Sequence, residues 1–480
     1  MTALETHRTY GGWRRSRSLG LGRLDTRQTA VVVLSALAPL IALAAGAMLP
    51  ALLLAVLGAG AAVLVVAQRD GQVLLDAVTG WARWQIADVR GQTSFRGQFL
   101  APLPRAWDLP GALAQTTLVD AEHPGRGRAG IVWHRRTGVL AAALLLSPGG
   151  ALLADRAVVE RQVAGWGLLL AGLGDDPAIS AAALTVELSP DPGTRLHDHV
   201  TGRLHPGAPP LARQVMREIV AAAPYASAQV ATRLTLALRP ERAATRPQGL
   251  PDAVAEVLRT LDALPIAAAG ADVLRVATPE DLAAIVRRAF DPDSAAAPRA
   301  AHDQLLWGEA GPVTAEDLPD YYQHDGAYSQ SFVLVEAPRQ QVPHDLLLPL
   351  LSPGRYLRRV TLHYRTLSRA EAGAVLERET NAAAAREQYR VRTRRDATAR
   401  DLADTARAHN AAAEEAHGAG LVLFTLAVTV TAPDLASLAD ARAEVEKAAG
   451  RARLRLRPAR HAQAAAFAAS LPVGLHPADL

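Results

Sequence analysis

The strongest pattern in this chain is a stretch that has no period at all. From Gln28 to Gln68 no charged side chain occurs and apolar residues fill nearly every position, where a half-buried helix would show a 3.6-residue stripe and a half-buried strand an alternation. Ala45-Gly46-Ala47-Met48-Leu49-Pro50 interrupts the run with a Gly/Pro turn signal. The two arms, Thr29 to Gly46 and Pro50 to Gln68, each approach the ~20 apolar residues that one membrane crossing needs. The pattern therefore predicts a two-helix transmembrane hairpin over 28–68. Gly58 and Ala62 have the small-xxx-small spacing that lets two helices approach closely.

After Arg69 the patterning becomes that of a globular body. Gly138 to Leu146, Ala183 to Leu188 and Val230 to Leu238 read as strands, and Leu153 to Leu173, Pro210 to Ala223 and Asp252 to Leu264 as helices. Thr278-Pro279-Glu280-Asp281 supplies an N-cap, a proline at the first helical position and acid in the first turn. Ala295 to Leu318 mixes Ala, Pro, Gly, Asp and His without a period and predicts a linker or long loop. Beyond it, Tyr328 to Ala337 alternates like a strand, and Pro343 to Leu351 reads as a short helix. Tyr356 to Leu367 is a strand with Val360, Leu362 and Tyr364 on one face. Ser368-Arg369-Ala370-Glu371 is a capping box that opens a charged helical region extending to Glu415. Leu421 to Val430, Asp434 to Ala449, Arg451 to Leu456 and Arg460 to Ser470 then read as strand, helix, strand and helix.

This order predicts an α+β fold, a two-helix transmembrane hairpin followed by two mixed α/β domains of ferredoxin-like character. The divisions are a basic N-terminus at 1–27, the hairpin at 28–68, a first domain at 69–294, the linker at 295–318 and a second domain at 319–480. Pro279-Glu280-Asp281-Leu282-Ala283-Ala284-Ile285 echoes Pro433-Asp434-Leu435-Ala436-Ser437-Leu438, which reads either as a duplicated unit or as two helix starts converging on one pattern.

Charge orients the hairpin. Arg8, Arg14, Arg15, Arg17, Arg23 and Arg27 precede it, Arg69 and Arg83 follow it, and its turn is uncharged. By the positive-inside rule both termini and the body face the cytoplasm, with the hairpin in the cytoplasmic membrane. Trp13, Arg14, Arg15, Arg17, Arg27 and Arg69 are the expected membrane-flanking residues. The twin arginine Arg14-Arg15 also invites an export-signal reading, but a signal core of ~7–15 residues is much shorter than this run. No ionisable residue lies within 28–68, so the usual mark of a proton or ion path is missing. Over the whole chain Lys+Arg is 51 and Asp+Glu 47, a formal charge of +4. The single lysine, Lys447, points to an arginine-preferring composition rather than a basic nucleic-acid surface. With Cys 0, disulfides and thiolate metal sites are excluded.

Familiar catalytic and binding motifs are scarce in the chain. No G-x-x-x-x-G-K-[ST] loop surrounds Lys447, and neither H-E-x-x-H nor G-x-S-x-G occurs. Gly125-Arg126-Gly127-Arg128-Ala129-Gly130 has dinucleotide spacing but leads into strand-like Ile131-Val132-Trp133 rather than into a helix, so it reads as a surface turn. His197-Asp198-His199, with His205 nearby, has metal-capable chemistry, but Pro190 to Gly193 and Pro206-Gly207 mark a loop in which histidines are simply solvated. Arg390, Arg392, Arg394 and Arg395 form a cationic stretch that reads first as a solvated helix face and second as a partner-binding surface. No catalytic residue, cofactor site or metal site is expected.

Arg8-Thr9-Tyr10-Gly11-Gly12-Trp13-Arg14-Arg15, with two spans directly after it, resembles actinobacterial membrane proteins that accompany conjugative, type IV-like DNA-transfer ATPases. The hairpin resembles the PrgI-like component of type IV secretion. From Tyr328 onward the chain is similar to the N-terminal domain of VirB/TrbE-type conjugation ATPases. That similarity rests on the Tyr356 to Leu367 strand, the long helical region, Ala416-His417-Gly418 before Leu421 to Leu426, the helix from Asp434, and Ala465 to Gly474 with its Leu471-Pro472-Val473-Gly474. In those ATPases a motor domain follows such a stretch; here the chain ends at Leu480 without a P-loop. The resemblance implies a non-catalytic subunit that docks a separate hexameric VirB-type ATPase alongside other membrane secretion subunits. The region from Trp81 to Val200, including Trp166 to Gly174, also looks like the EccE membrane component of type VII protein secretion. That is the alternative, and a membrane-bound enzyme with a dispersed site is a third.

Overall fold

The structure is a computed structural model. It describes residues 26–69, 71–97, 109–150, 154–190, 200, 202–205, 207–222, 228–296, 304–338, 342–393, 406, 413 and 421–479. The fold is mixed α+β with one large antiparallel sheet. Two units separate: one comprises 1–86, 335–342 and 367–421, the other 87–334, 343–366 and 422–480.

In the first unit, α1 (Thr26–Ala44) and α2 (Met48–Val66) are joined by a short turn. Gly46 carries that turn with φ +78°, a left-handed value that glycine adopts without steric cost. Pro50 falls inside the first turn of α2, where its missing N–H is no loss, so the second helix begins before the proline that the sequence suggests as its start. The two helices run antiparallel and touch: the Gln28 Nε2 donates to the Val65 carbonyl at 3.1 Å. A Cβ on Gly58 would stand 2.8 Å from the Ser35 carbonyl oxygen, so the small residue noted in the sequence is what admits the backbone of α1. A two-stranded ribbon, β1 (Gln68–Arg69) with β2 (Gln72–Val73), leads to α3 (Leu74–Val89). The expected capping box opens α9 (Arg369–Thr393), with Glu371 accepting from the Ser368 amide at 2.9 Å and the Glu371 amide donating to the Ser368 hydroxyl at 3.3 Å.

The second unit is built on a 13-stranded sheet. Its first set of strands is β4 (Thr116–His123), β5 (Gly127–His134), β6 (Leu140–Pro148), β7 (Ile179–Pro190), β8 (Ala228–Leu238) and β9 (Ala271–Val276). Interspersed are α4 (Arg156–Leu173), α5 (Pro210–Ala222), α6 (Leu250–Asp262) and α7 (Pro279–Phe290). The second set is β10 (Thr314–Asp317), β11 (Tyr322–His324), β12 (Ala327–Glu336), β13 (Leu357–Thr366), β14 (Val422–Ala432) and β15 (Arg455–Pro458), with α8 (Leu348–Leu351), α10 (Leu435–Arg451) and α11 (Gln463–Ala469). The sheet also holds β3 (Ser94–Arg96), which pairs with β10 at the edge.

Strand order shows a duplication. From the central β7–β13 pair outward it reads β7-β8-β6-β5-β4 in one direction and β13-β14-β12-β11-β10 in the other, with β9 on β6 and β15 on β12. Thr185 and Thr361 face each other in the middle of that pair. With these taken as matching positions, the ladder registers bring Ala141 and Ser329, Leu144 and Phe332, and His134 and His324 into correspondence. The sequence echo does not mark this repeat. It pairs α7 with α10, whereas the counterpart of α7 is α11. The likeness arises from capping: Thr278 and Asp434 each accept a backbone N–H from the third residue beyond them.

Alternation along the strands divides the core. Leu140, Ala142, Leu144 and Leu146 of β6 lie with Leu169 and Leu173 of α4 and Val254, Val257, Leu258 and Leu261 of α6. On the same face of the sheet, Leu426, Val428 and Val430 of β14 meet Leu438, Ala441 and Val445 of α10. Ala141 and Ala143 point to the opposite face, under α7 and α11, with Phe290 and Phe467. The stretch 295–318, read as a linker, contains β10 among its described residues.

Candidate functional site

Two features of the structure have chemistry beyond ordinary packing. The first is the outer surface of α1 and α2. Leu34, Leu40 and Ile41 on α1, and Met48, Leu49, Leu52, Leu53, Val56 and Leu57 on α2, are all exposed. An uninterrupted apolar surface of this kind is rare on a protein bathed by water. By length and composition α2 is long and apolar enough to cross a membrane, while the apolar part of α1, Gln28–Ala44, is shorter. Leu75, Val78, Trp81 and Ile86 of α3 are exposed as well, and α3 starts beside the end of α2, where the Leu74 amide donates to the Ala67 carbonyl at 2.8 Å.

The residues singled out in the sequence are only partly brought into view. Trp13, Arg14, Arg15 and Arg17 lie outside the described residues. Arg27 is the second residue of α1, and Arg69 ends β1. Arg390 and Arg392 are in α9, Arg392 exposed, whereas Arg394 and Arg395 lie outside the described residues, as do His197 and His199. Among the described residues no group of three His, Asp or Glu is placed to hold a metal ion. Gly125 and Gly127, with φ +79° and +82°, form the turn between β4 and β5, the surface-turn reading of that motif.

The second feature is a polar seam buried on the face of the sheet under α7 and α11. One cross-strand row runs Ser331, Thr429, Arg359, Glu187, and the next contains Thr361, Thr185 and Arg233. Glu187 Oε2 accepts from Arg233 Nη2 at 2.5 Å, and Glu187 Oε1 lies 3.1 Å from Arg288 Nη2 of α7. Burial works against the Glu187 carboxylate, but Arg233, Arg288 and Arg359 outweigh it and hold its pKa down to about 2. Arg359 donates from Nε to the Ser470 hydroxyl at 3.0 Å, and its guanidinium carbon lies 4.6 Å from the centre of the Phe467 ring, a cation–π placement. Burial lowers the Arg359 pKa to about 10; Glu187 opposes the shift, and Arg233 and Arg288 reinforce it.

The seam continues through hydroxyls and an imidazole. His324 donates from Nδ1 to the Phe290 carbonyl at 2.5 Å and accepts at Nε2 from the Ser329 hydroxyl at 2.8 Å, which in turn contacts Thr431 Oγ1 at 2.7 Å. Both ring nitrogens are thus satisfied by the neutral tautomer. Its counterpart His134 contacts the Val473 carbonyl through Nε2 at 2.5 Å. The two histidines lock the repeats reciprocally: His324 of the second holds the end of α7 from the first, and His134 of the first holds the segment after α11 from the second. Gly474, at φ +72°, fits because a Cβ there would stand 2.5 Å from the Cβ of Ala141. The sequence signal for this seam was available. Glu187, Arg233 and Arg359 each interrupt strand-like apolar runs, and a charged residue in such a run is expected to have a buried partner.

The chain matches no protein-family model and no curated protein.

Proposed function

We propose that this chain is a non-catalytic, membrane-anchored subunit of a conjugative or type IV-like DNA-transfer complex, which docks a separate VirB-type ATPase. The observation that carries the anchoring is the apolar exterior of the α1–α2 pair, directly ahead of a folded body. In this reading both helices cross the cytoplasmic membrane, both termini and the body are cytoplasmic, and the exposed apolar side chains of α3 lie at the membrane surface. Each sheet repeat carries a βαββαβ core of ferredoxin-like order, β6-α4-β7-β8-α6-β9 and β12-α8-β13-β14-α10-β15, with helical insertions between its two central strands. In this reading the second repeat corresponds to the VirB/TrbE-type N-terminal domain that the sequence from Tyr328 resembles. That similarity, together with a sequence that lacks a P-loop, supports a docking role rather than ATP hydrolysis.

Cysteine accessibility tests the topology, because the sequence contains no native cysteine. A thiol introduced at Gly46 should react from outside intact cells, and one at Arg83 only after the membrane is opened; equal reactivity of both would refute the two-span reading. A mild-detergent pull-down of the full chain tests the docking role, with a VirB-type ATPase as the expected partner. Recovery of type VII core proteins instead would favour the EccE-like alternative.

A further inference from the structure

We propose that the seam around Glu187 is an anion site that holds one small inorganic anion of the halide class between the two repeats. Three guanidinium groups, Arg233, Arg288 and Arg359, act on a single carboxylate, and among the described residues Glu187 is the only carboxylate that acts on Arg359. With all four groups ionised, the cluster has two positive charges in excess. Arg233, Arg359 and Glu187 are all buried, with Arg359 1% exposed. Uncompensated charge in such a place is costly, and buried guanidinium N–H groups are expected to find acceptors.

The hydrogen bonds tell the same story. Both terminal nitrogens of Arg359, Nη1 and Nη2, have no acceptor among the described residues, nor does Nε of Arg233 or Nε of Arg288. The Phe467 ring offsets part of the Arg359 charge but supplies no acceptor in the guanidinium plane. A monatomic anion suits this arrangement because it takes several N–H donors from different directions and needs little room. Arg288 is the most open member, its side chain 28% exposed, and marks the side from which an ion enters. Since Glu187 and Arg233 come from the first repeat's strands and Arg359 from the second's, the ion would hold the two repeats together.

Thermal unfolding of the full chain in detergent, in chloride and in gluconate at equal ionic strength, tests it, together with equilibrium dialysis against radioactive chloride. Chloride should raise Tm saturably by about 2–4 °C, with about one ion retained per chain. Arg288→Gln removes one charge at the rim and should weaken chloride binding about tenfold, the equivalent of one charged hydrogen bond. Arg359→Met should abolish both the chloride-dependent part of Tm and the retained ion. If Arg359→Met does not fold, Arg288→Gln decides alone. Equal Tm in the two salts with no retained ion would overturn the proposal, as would an Arg288→Gln variant with unchanged chloride affinity.

Discussion

The hydroxyl oxygens of Thr185 and Thr361 lie 3.1 Å apart, across the pair of strands that joins the two repeats. Each is buried, Thr361 fully, so the hydrogen bond between them is shielded from water. Arg233 flanks Thr185 on the next strand, and the Arg359–Glu187 pair forms the neighbouring row. The junction of the repeats is thus polar, whereas the other face of the same strands is filled by Val360, Leu362 and Leu184.

Removing one hydroxyl leaves the other without its partner. Thr361→Val should cost about 1–3 kcal/mol, the desolvation cost of a buried unsatisfied group, whereas Thr185→Val with Thr361→Val should recover most of that loss. Urea unfolding midpoints at unchanged m-value measure both. Simple additivity of the two single substitutions would show that the threonines do not act as a pair.

Two glycines on α4 should respond with opposite sign. A Cβ on Gly165 would overlap the carbonyl of Ala268, while one on Gly167 meets nothing within 4 Å. Gly165→Ala should therefore destabilise by about 1–3 kcal/mol through overpacking. Gly167→Ala should stabilise by about 0.5–1 kcal/mol through helix propensity. The same unfolding measurement reads both; a stabilising Gly165→Ala would mean that α4 does not pack against the 266–269 turn as described.

Acid should weaken the body from about pH 6.5 downward. Burial pushes His324 and His363 down to about 3, so below about pH 6.5 the unfolded chain takes up protons that the folded chain refuses. The stability due to these neutral imidazoles is present above that pH and is lost as pH falls toward 3, by at most ~1.4 kcal/mol per pH unit for each. Asp317 works the other way. Burial raises it to about 6, against the Ala464 N–H that donates to it at 2.9 Å, and its share of stability is present below about pH 4 and lost between about 4 and 6. Urea midpoints across pH 4–7 should therefore fall with acid. They should fall less steeply in His363→Leu and more steeply in Asp317→Asn; unchanged slopes would rule out these groups as the cause.

The α1–α2 contact should depend on the missing side chain of Gly58. In a Gln28→Cys, Val65→Cys chain, a short bifunctional thiol cross-linker should join the two positions in membranes, since they lie within one glutamine side chain's reach of each other. Adding Gly58→Leu, whose side chain must displace the Ser35 backbone, should reduce that cross-link several-fold. Equal cross-linking in both would show that the helices are held by something other than this close approach.

Much of the fold was legible along the chain, because helix caps and periodicity are local. Thr278-Pro279-Glu280-Asp281 starts α7 with its capping box, Ser368 to Glu371 starts α9, and β6, β7, β8, β12, β13 and β14 fall where apolar runs place them, whereas β4 was not legible as a strand and β5 only in part. The short strands β10 and β11 were less legible: Thr314–Asp317 and Tyr322–His324 are strands chiefly because neighbours pair with them. The repeat was also hidden. It resides in strand order, and the one echo in the sequence joined helices that are not counterparts.

The sequence by itself determined the uncharged α1–α2 segment, the positions of most helices and strands, and the absence of the familiar nucleotide and zinc motifs. Only the tertiary structure decided that Thr185 meets Thr361, that Glu187 gathers three arginines, and that His134 and His324 each fasten the other repeat's closing segment. The physical reason is separation along the chain. Periodicity and capping act over a few residues, whereas these contacts join positions that come together only when the strands take their places, and nothing local in an alternating run says which strand will be its neighbour.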